Sequence, residues 1–438
     1  MKPSFSAALA LGALLMAPLA ASALDLVQAY EAARQNDPTF RAAYFDNESG
    51  KEYRVIGRAA LLPQVSANYN ASNNVTDITQ GAATVHPKYT SRVAVVQLRQ
   101  PVLSLDGIAR YKQGVAQSGY SAAVFDLQQQ DLILRLSSAY VDALFADEQL
   151  LLARAQRDTL VEQRNVNDRL FEKGEGTRTD MLETQAKLDL AEAQLVEATD
   201  NQTNARTVLA AIVGMEVTSL GRLKAHFPVL PLPGGGLEYW NRQALQNNPD
   251  VRSQVQAIEA ARQEVNKNRA GHAPRVDFVA SYSKNTADSI TTINQESTVR
   301  SIGVQISVPL YSGGAVSATT RQAAAGLEKA RADLDGKSSK ALTEVRKQYA
   351  IVTSSVAHIN ALVKAENSGQ LLMLATEKSI AGGVRINLDL LNAQQQLFST
   401  KRDLAQARYN YLLGILRLRA AAGLLDVGDV RTIAGYFE

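Results

Sequence analysis

The chain has 438 residues, a formal net charge of +3 and no cysteine. A balance this close to neutral does not suit a nucleic-acid polycation, so no nucleic-acid partner is expected. The absence of thiols excludes disulfides, cysteine-ligated metals, thiol nucleophiles and a lipidated N-terminal cysteine.

At the N-terminus, Lys2 precedes a run of small and apolar residues from Ala7 to Ala21, and Ala21-Ser22-Ala23 offers a small-x-small site. This predicts a secretory signal peptide over residues 1–23, removed before Leu24. The run is shorter than the ~20 residues a spanning helix needs. No later stretch of about 18 apolar residues occurs, so the remaining seats in a membrane are an interfacial helix, a lipid anchor or a β-barrel.

Landmarks then recur in the same order about 210 residues apart, the mark of a duplicated unit. Asp37-Pro38 returns as Asn248-Pro249, and Pro63-Gln64-Val65 as Pro274-Arg275-Val276. Gln97 to Pro101 returns as Gln305 to Pro309, and Gly176-Thr177-Arg178 as Gly383-Val384-Arg385. The first repeat is read as 24–213, a Pro/Gly linker as 214–236, the second repeat as 237–422 and a C-terminal tail as 423–438.

Each repeat opens with a short helix (Leu24 to Gln35; Leu237 to Gln246). Asp37 or Asn248 then supplies an N-cap oxygen, with proline at the first helical position, where its missing N–H costs nothing. A β-hairpin follows, expected at about 65–102 and 275–311. Val276, Phe278, Ala280 and Tyr282 alternate with mostly polar residues, and Ile302, Val304, Ile306 and Val308 line one face of the return strand. In the first repeat Val65, Ala67, Tyr69 and Ala71 alternate with Ser66, Asn68, Asn70 and Ser72. Polar loops join the strands, roughly Asn73 to Thr90 and Lys284 to Thr298.

Helical hairpins come next, at about 103–213 and 313–422. Proline is absent from Leu103 to Phe171 and from Ala318 to Ile380. Such helices are roughly 100 Å long. Apolar residues at alternating spacings of three and four (Leu342, Val345, Tyr349, Val352, Val356, Ile359, Val363) form a coiled-coil seam. Leu132, Leu136, Ala139, Ala143, Ala146, Leu150 and Ala153 repeat it, and Leu397, Leu404, Tyr411 and Leu418 recur on the second return helix. Glycine turns separate the arms at Gly174/Gly176 and Gly382/Gly383.

Two hairpins supply four strands. An open four-stranded sheet exposes unpaired edge groups that lipid cannot satisfy, so several chains must share one closed barrel. Two copies give eight strands with a filled interior, and three give twelve with a lumen.

The segment Gly382-Gly383-Val384-Arg385-Ile386-Asn387-Leu388-Asp389-Leu390-Leu391-Asn392-Ala393, the stretch Ala405 to Leu412 and the paired Asp/Asn-Pro starts resemble the TolC family of outer-membrane efflux proteins. The resemblance spans essentially the whole mature chain. It implies a mixed α and β membrane protein, a homotrimer whose twelve-stranded barrel continues into a coiled-coil tunnel of twelve helices. It implies an outer-membrane location reaching into the periplasm, and passive conduction for type I secretion or multidrug efflux. Implied partners are a periplasmic adaptor, an inner-membrane ABC, RND or MFS transporter, and outer-membrane lipid. Without a lipidated cysteine, the chain is more similar to the unlipidated branch.

The resemblance also supplies candidate sites. Family members carry two lumen-facing aspartates one turn apart after the second tip turn; here these positions are Asp389 and Asn392, so one charge ring is replaced by an asparagine ring. An arginine that ties neighbouring hairpins matches Arg385, with Thr179 and Asp180 as its expected partners, while the family's nearby tyrosine is Ile380. The turns Gly174, Gly176, Thr177, Arg178, Gly382, Gly383 and Val384 match the adaptor-docking tips. On the residues alone, Asp180 and Asp389 also suit the first turn of a helix, where carboxylates meet the positive end of the dipole.

No catalytic constellation is recognisable. His86, His226, His272 and His358 lack ligand spacing, and there is no phosphate loop. No enzyme activity, cofactor or resident metal is expected, beyond a cation blocking at an Asp389 ring. The rival readings are a periplasmic adaptor, which carries one helical hairpin instead of two, and a structural coiled coil, which leaves the β-hairpins without a purpose.

Overall fold

A computed structural model describes residues 23–438 except 225, 226, 230, 231, 233, 234, 290, 291 and 383; the side chains of 287–294 and 381 are likewise not described. The signal peptide therefore lies outside the described residues apart from Ala23, as do His226, Gly383 and part of the linker.

In chain order the elements are α1 (Leu26–Asn36), α2 (Pro38–Ala59), β1 (Gln64–Val75), β2 (Ile78–Gln80), β3 (Ala83–Val85), β4 (Lys88–Leu103), α3 (Leu105–Glu172) and α4 (Arg178–Val213). The second half follows with α5 (Gly236–Asn247), α6 (Pro249–Arg269), β5 (Arg275–Ser289), β6 (Thr292–Ser307), α7 (Ala315–Ala381), α8 (Asn387–Ala421) and α9 (Val427–Ala434). No helix among the described residues is long and apolar enough to cross a membrane. The chain divides into two compact units that interleave in sequence. One comprises residues up to Arg41, Gln129–Trp240 and Glu344–Glu438; the other comprises Ala42–Gln128 and Asn241–Thr343. The division falls within α2, α3, α5 and α7.

The second unit holds a four-stranded antiparallel sheet in the order β1-β4-β5-β6, leaving β1 and β6 as open edges. Its register sorts the side chains by chemistry. Val65 lies opposite Leu98, Leu98 opposite Ala280, and Ala280 opposite Ile302. Val96 pairs with Tyr282, Phe278 with Val304 and Val276 with Ile306, so one face is an apolar band. The other face carries Ser66, Asn68, Gln97, Arg99, Ser281, Ser301 and Gln305. There, Asp277 is buried beneath two guanidinium groups: Arg99 Nε and Arg275 Nε each donate to its Oδ2 at 3.0 Å. β6 stops at Ser307, short of the expected end near Tyr311, because Pro309 has no N–H for the ladder. The polar loops expected at Asn73 to Thr90 and Lys284 to Thr298 are mostly strand: the first contains the small β2–β3 hairpin, and in the second β5 continues to Ser289 and β6 starts at Thr292. Tyr69 and Tyr282 lie on the apolar face, whereas Tyr89, opposite Asn74, lies on the polar one. In the same unit α2 and α3 cross closely: a Cβ on Gly114 would meet the Tyr53 carbonyl oxygen at 2.2 Å, so only glycine fits.

The first unit packs the seams predicted from the heptads. Leu132, Leu136, Ala139, Ala143, Ala146 and Leu150 of α3 are buried, as are Leu397, Leu404, Tyr411 and Leu418 of α8. Each buried leucine contributes ~1.5–3 kcal/mol of burial energy. The C-terminal segment is structured rather than a loose tail. α9 packs on α1, Leu223 pairs antiparallel with Phe437, and the Glu438 amide donates to the Arg222 carbonyl at 2.9 Å. Near the start of α2, Asp37 Oδ1 accepts from the Phe40 amide at 2.7 Å, the cap expected there, and Oδ2 accepts from Arg135 Nη1 at 3.1 Å.

Candidate functional site at the helical tip

The candidate gate and docking residues all lie in the first unit, around the α3–α4 and α7–α8 turns. The first turn is tightly closed. Gly174 adopts φ +76°, and the Glu175 and Gly176 amides both donate to the Leu170 carbonyl. Thr177 and Asp180 then form a reciprocal capping box. The Asp180 amide donates to Thr177 Oγ1 at 3.1 Å, and the Thr177 amide donates to Asp180 Oδ2 at 3.3 Å. The Thr177 hydroxyl also donates to that carboxylate at 2.6 Å.

The second turn is held differently. The Gly382 amide donates to the Lys378 carbonyl and the Val384 amide to the Ser379 carbonyl. Ile386 occupies the N-cap of α8 and makes no side-chain hydrogen bond to the helix. Val384 and Ile386 are exposed. Gly383 lies outside the described residues.

Asp389, in the first turn of α8, has Arg385 as its partner, with Nη1 3.6 Å from Oδ2. The structure thus pairs the candidate gate carboxylate with the candidate tie arginine. It does not bring Arg385 to Thr179 or Asp180 within one chain; Asp180 is engaged in its capping box and Thr179 is exposed. Asn392 lies exposed one turn beyond Asp389, on the side of α8 away from the buried Leu391 and Ala393.

Behind these residues is a buried polar layer that the sequence reading passed over. Thr184 of α4, fully buried, is its centre. Its hydroxyl donates to the Asp180 carbonyl at 2.8 Å and accepts from Asn167 Nδ2 at 2.8 Å and Asn387 Nδ2 at 3.1 Å. Gln163 Nε2 donates to Asn387 Oδ1 at 3.0 Å. One residue set therefore links α3, α4 and α8, beside an apolar layer of Leu160, Leu188, Ala191 and Leu391. The signal was present: Asn167 falls one heptad after Leu160, and Thr184 four residues before Leu188, so each is a polar residue on an apolar seam.

Among the described residues, no group of three or more His, Cys, Asp or Glu side chains is placed to hold a metal ion.

A four-stranded sheet with an apolar face and two open edges, joined in sequence to seam-packed helical hairpins, defines a barrel-forming channel subunit. The family model for outer membrane efflux proteins matches residues 29–215 and 240–424. The alkaline protease secretion protein AprF of Pseudomonas aeruginosa is 44% identical over 423 residues, covering 95% of this chain and 88% of its own. The proteases secretion protein PrtF of Dickeya chrysanthemi is 36% identical, covering 95% and 92%. The solved outer-membrane channel OprN superposes with a TM-score of 0.79 at 21% identity, over 91% of this chain and 89% of its own. The chain belongs to the outer membrane efflux protein family. It is an outer-membrane exit duct whose strands belong to a β-barrel and whose helical hairpins wall a tunnel extending into the periplasm.

Proposed function

We propose that the protein is the outer-membrane duct of a type I secretion system whose cargo is a secreted protease. The similarity to AprF over nearly the full length of both chains carries this reading. The duct is a homotrimer: four strands per chain leave β1 and β6 as open edges, and three sheets joined β6 to β1 around a ring close a twelve-stranded barrel with a lumen. Energy comes from an inner-membrane ABC transporter, and a periplasmic adaptor docks at the tip turns Gly174 to Arg178 and Gly382 to Val384. RND or MFS transporters are the partners under an efflux reading.

Asp389 forms a ring of three carboxylates at the tip and Asn392 an uncharged ring beside it, so the constriction attracts cations with one charge ring instead of two. Arg385 acts as the counter-charge of Asp389 and weakens the ring further.

The test is restoration of export. A strain with the transporter, adaptor and protease of such a system, but without its duct, is given this chain. Protease appearing in the medium is the expected result. Protease retained in the cells, with drug resistance restored instead, would reassign the duct to efflux.

A further inference from the structure

The outward face of the sheet carries, above its apolar band, a diagonal of three cations on three adjacent strands. Arg92 of β4 lies opposite Thr286 of β5, so Lys284 is its diagonal neighbour; Lys284 lies opposite Thr298 of β6, so Arg300 is the next. Diagonal neighbours in a sheet are about 7–8 Å apart. All three share the face of Val65, Leu98, Phe278, Ala280, Ile302 and Val304, and all are exposed. The Arg300 guanidinium lies 5.7 Å from the centre of the Tyr282 ring, within cation–π range. Glu296 is the one carboxylate among the described side chains of this patch, and it pairs with Lys284.

Position fixes which leaflet this patch meets. The opposite ends of the strands run into α2, α3, α6 and α7, which belong to the periplasmic side, so the patch lies toward the outer leaflet. Its first row is about 20 Å along the strand from Val276, close to the ~25 Å height of an outer-membrane apolar band. A cation within that band is costly, while one at its upper rim meets anionic headgroups.

We propose that Arg92, Lys284 and Arg300 form a binding site for the phosphates of a phosphorylated glycolipid of the outer leaflet, whose acyl chains lie along the apolar band below. The proposal rests on the barrel reading of the sheet.

The test compares binding of bis-phosphorylated lipid A with that of enzymatically dephosphorylated lipid A to the full-length assembly in detergent, by native mass spectrometry. The protein is expected to prefer the phosphorylated form. Replacing Arg92, Lys284 and Arg300 together by Gln should weaken that form about tenfold, the size expected of three exposed contacts acting together, and leave the dephosphorylated form unchanged. Glu296→Gln frees Lys284 and should tighten phosphorylated lipid A. Should the triple variant fail to assemble, Glu296→Gln decides alone. Equal binding of the two lipids, an unchanged triple variant, or no gain in Glu296→Gln overturns the site. Channel conductance of the same preparations is read separately and judges the duct, whatever the lipid result.

Discussion

At Asp389 two physical demands meet on one carboxylate. It sits in the first turn of α8, where the dipole favours a negative charge, and Arg385 approaches from one turn before. If three copies surround the tunnel axis, their charge forms the cation-attracting constriction, and Asn392 adds none. Asp389→Ala should weaken block of single-channel current by a trivalent cation about tenfold, whereas Asn392→Asp should strengthen it. Unchanged block in Asp389→Ala removes this residue from the gate. Asp37 makes a different, pH-dependent contribution. Burial pushes its carboxyl up, but hydrogen bonds from Arg135, the Phe40 amide and Thr39 outweigh burial and hold it below the ordinary range. A carboxyl depressed on folding stabilises the fold fully above its unfolded value of ~3.9, and that contribution is lost as pH falls through the folded value. Asp37→Asn should therefore be less stable than the parent at pH 7. The gap in urea midpoint should close as pH falls below about 4; a gap that persists there would show that the charge is not its source.

Among the elements, the long helices were the most legible in sequence, because a seam at spacings of three and four leaves few alternatives. Leu397, Leu404, Tyr411 and Leu418 are buried where the heptad puts them. The strands were legible through their period of two, although β6 stops before Pro309 and the β2–β3 hairpin carried too short a pattern to read. The polar layer at Thr184 was missed because each helix looks ordinary by itself; only packing α3, α4 and α8 together shows that Asn167, Thr184 and Asn387 satisfy one another. Such a layer fixes register at some cost in stability, as buried asparagines do in coiled coils. Thr184→Val keeps the shape and removes the shared acceptor, leaving two buried amide groups short of a partner. A loss of about 1–3 kcal/mol is expected, with faster hydrogen exchange confined to α4 and the start of α8. Exchange that is unchanged there would mean water replaces the hydroxyl and the layer does not brace the tip.

For the whole molecule, what the sequence could reveal follows from which interactions are local. The duplication, the strand count and the seam are all properties of one chain, and they imply closure by several chains because a sheet ending in open β1 and β6 edges cannot remain in lipid. The tip pairing was harder to read. A residue match places Arg385 opposite Thr179 and Asp180, but the capping box on Asp180 and the helical spacing to Asp389 are nearer competitors. Short-range partners win unless a neighbouring chain supplies the longer one. Closure of the barrel by three chains fixes the mass of the intact assembly. Native mass spectrometry of the protein extracted from outer membranes should show three chains per particle. One or two chains per particle, stable in detergent and still conducting, would contradict a shared twelve-stranded barrel.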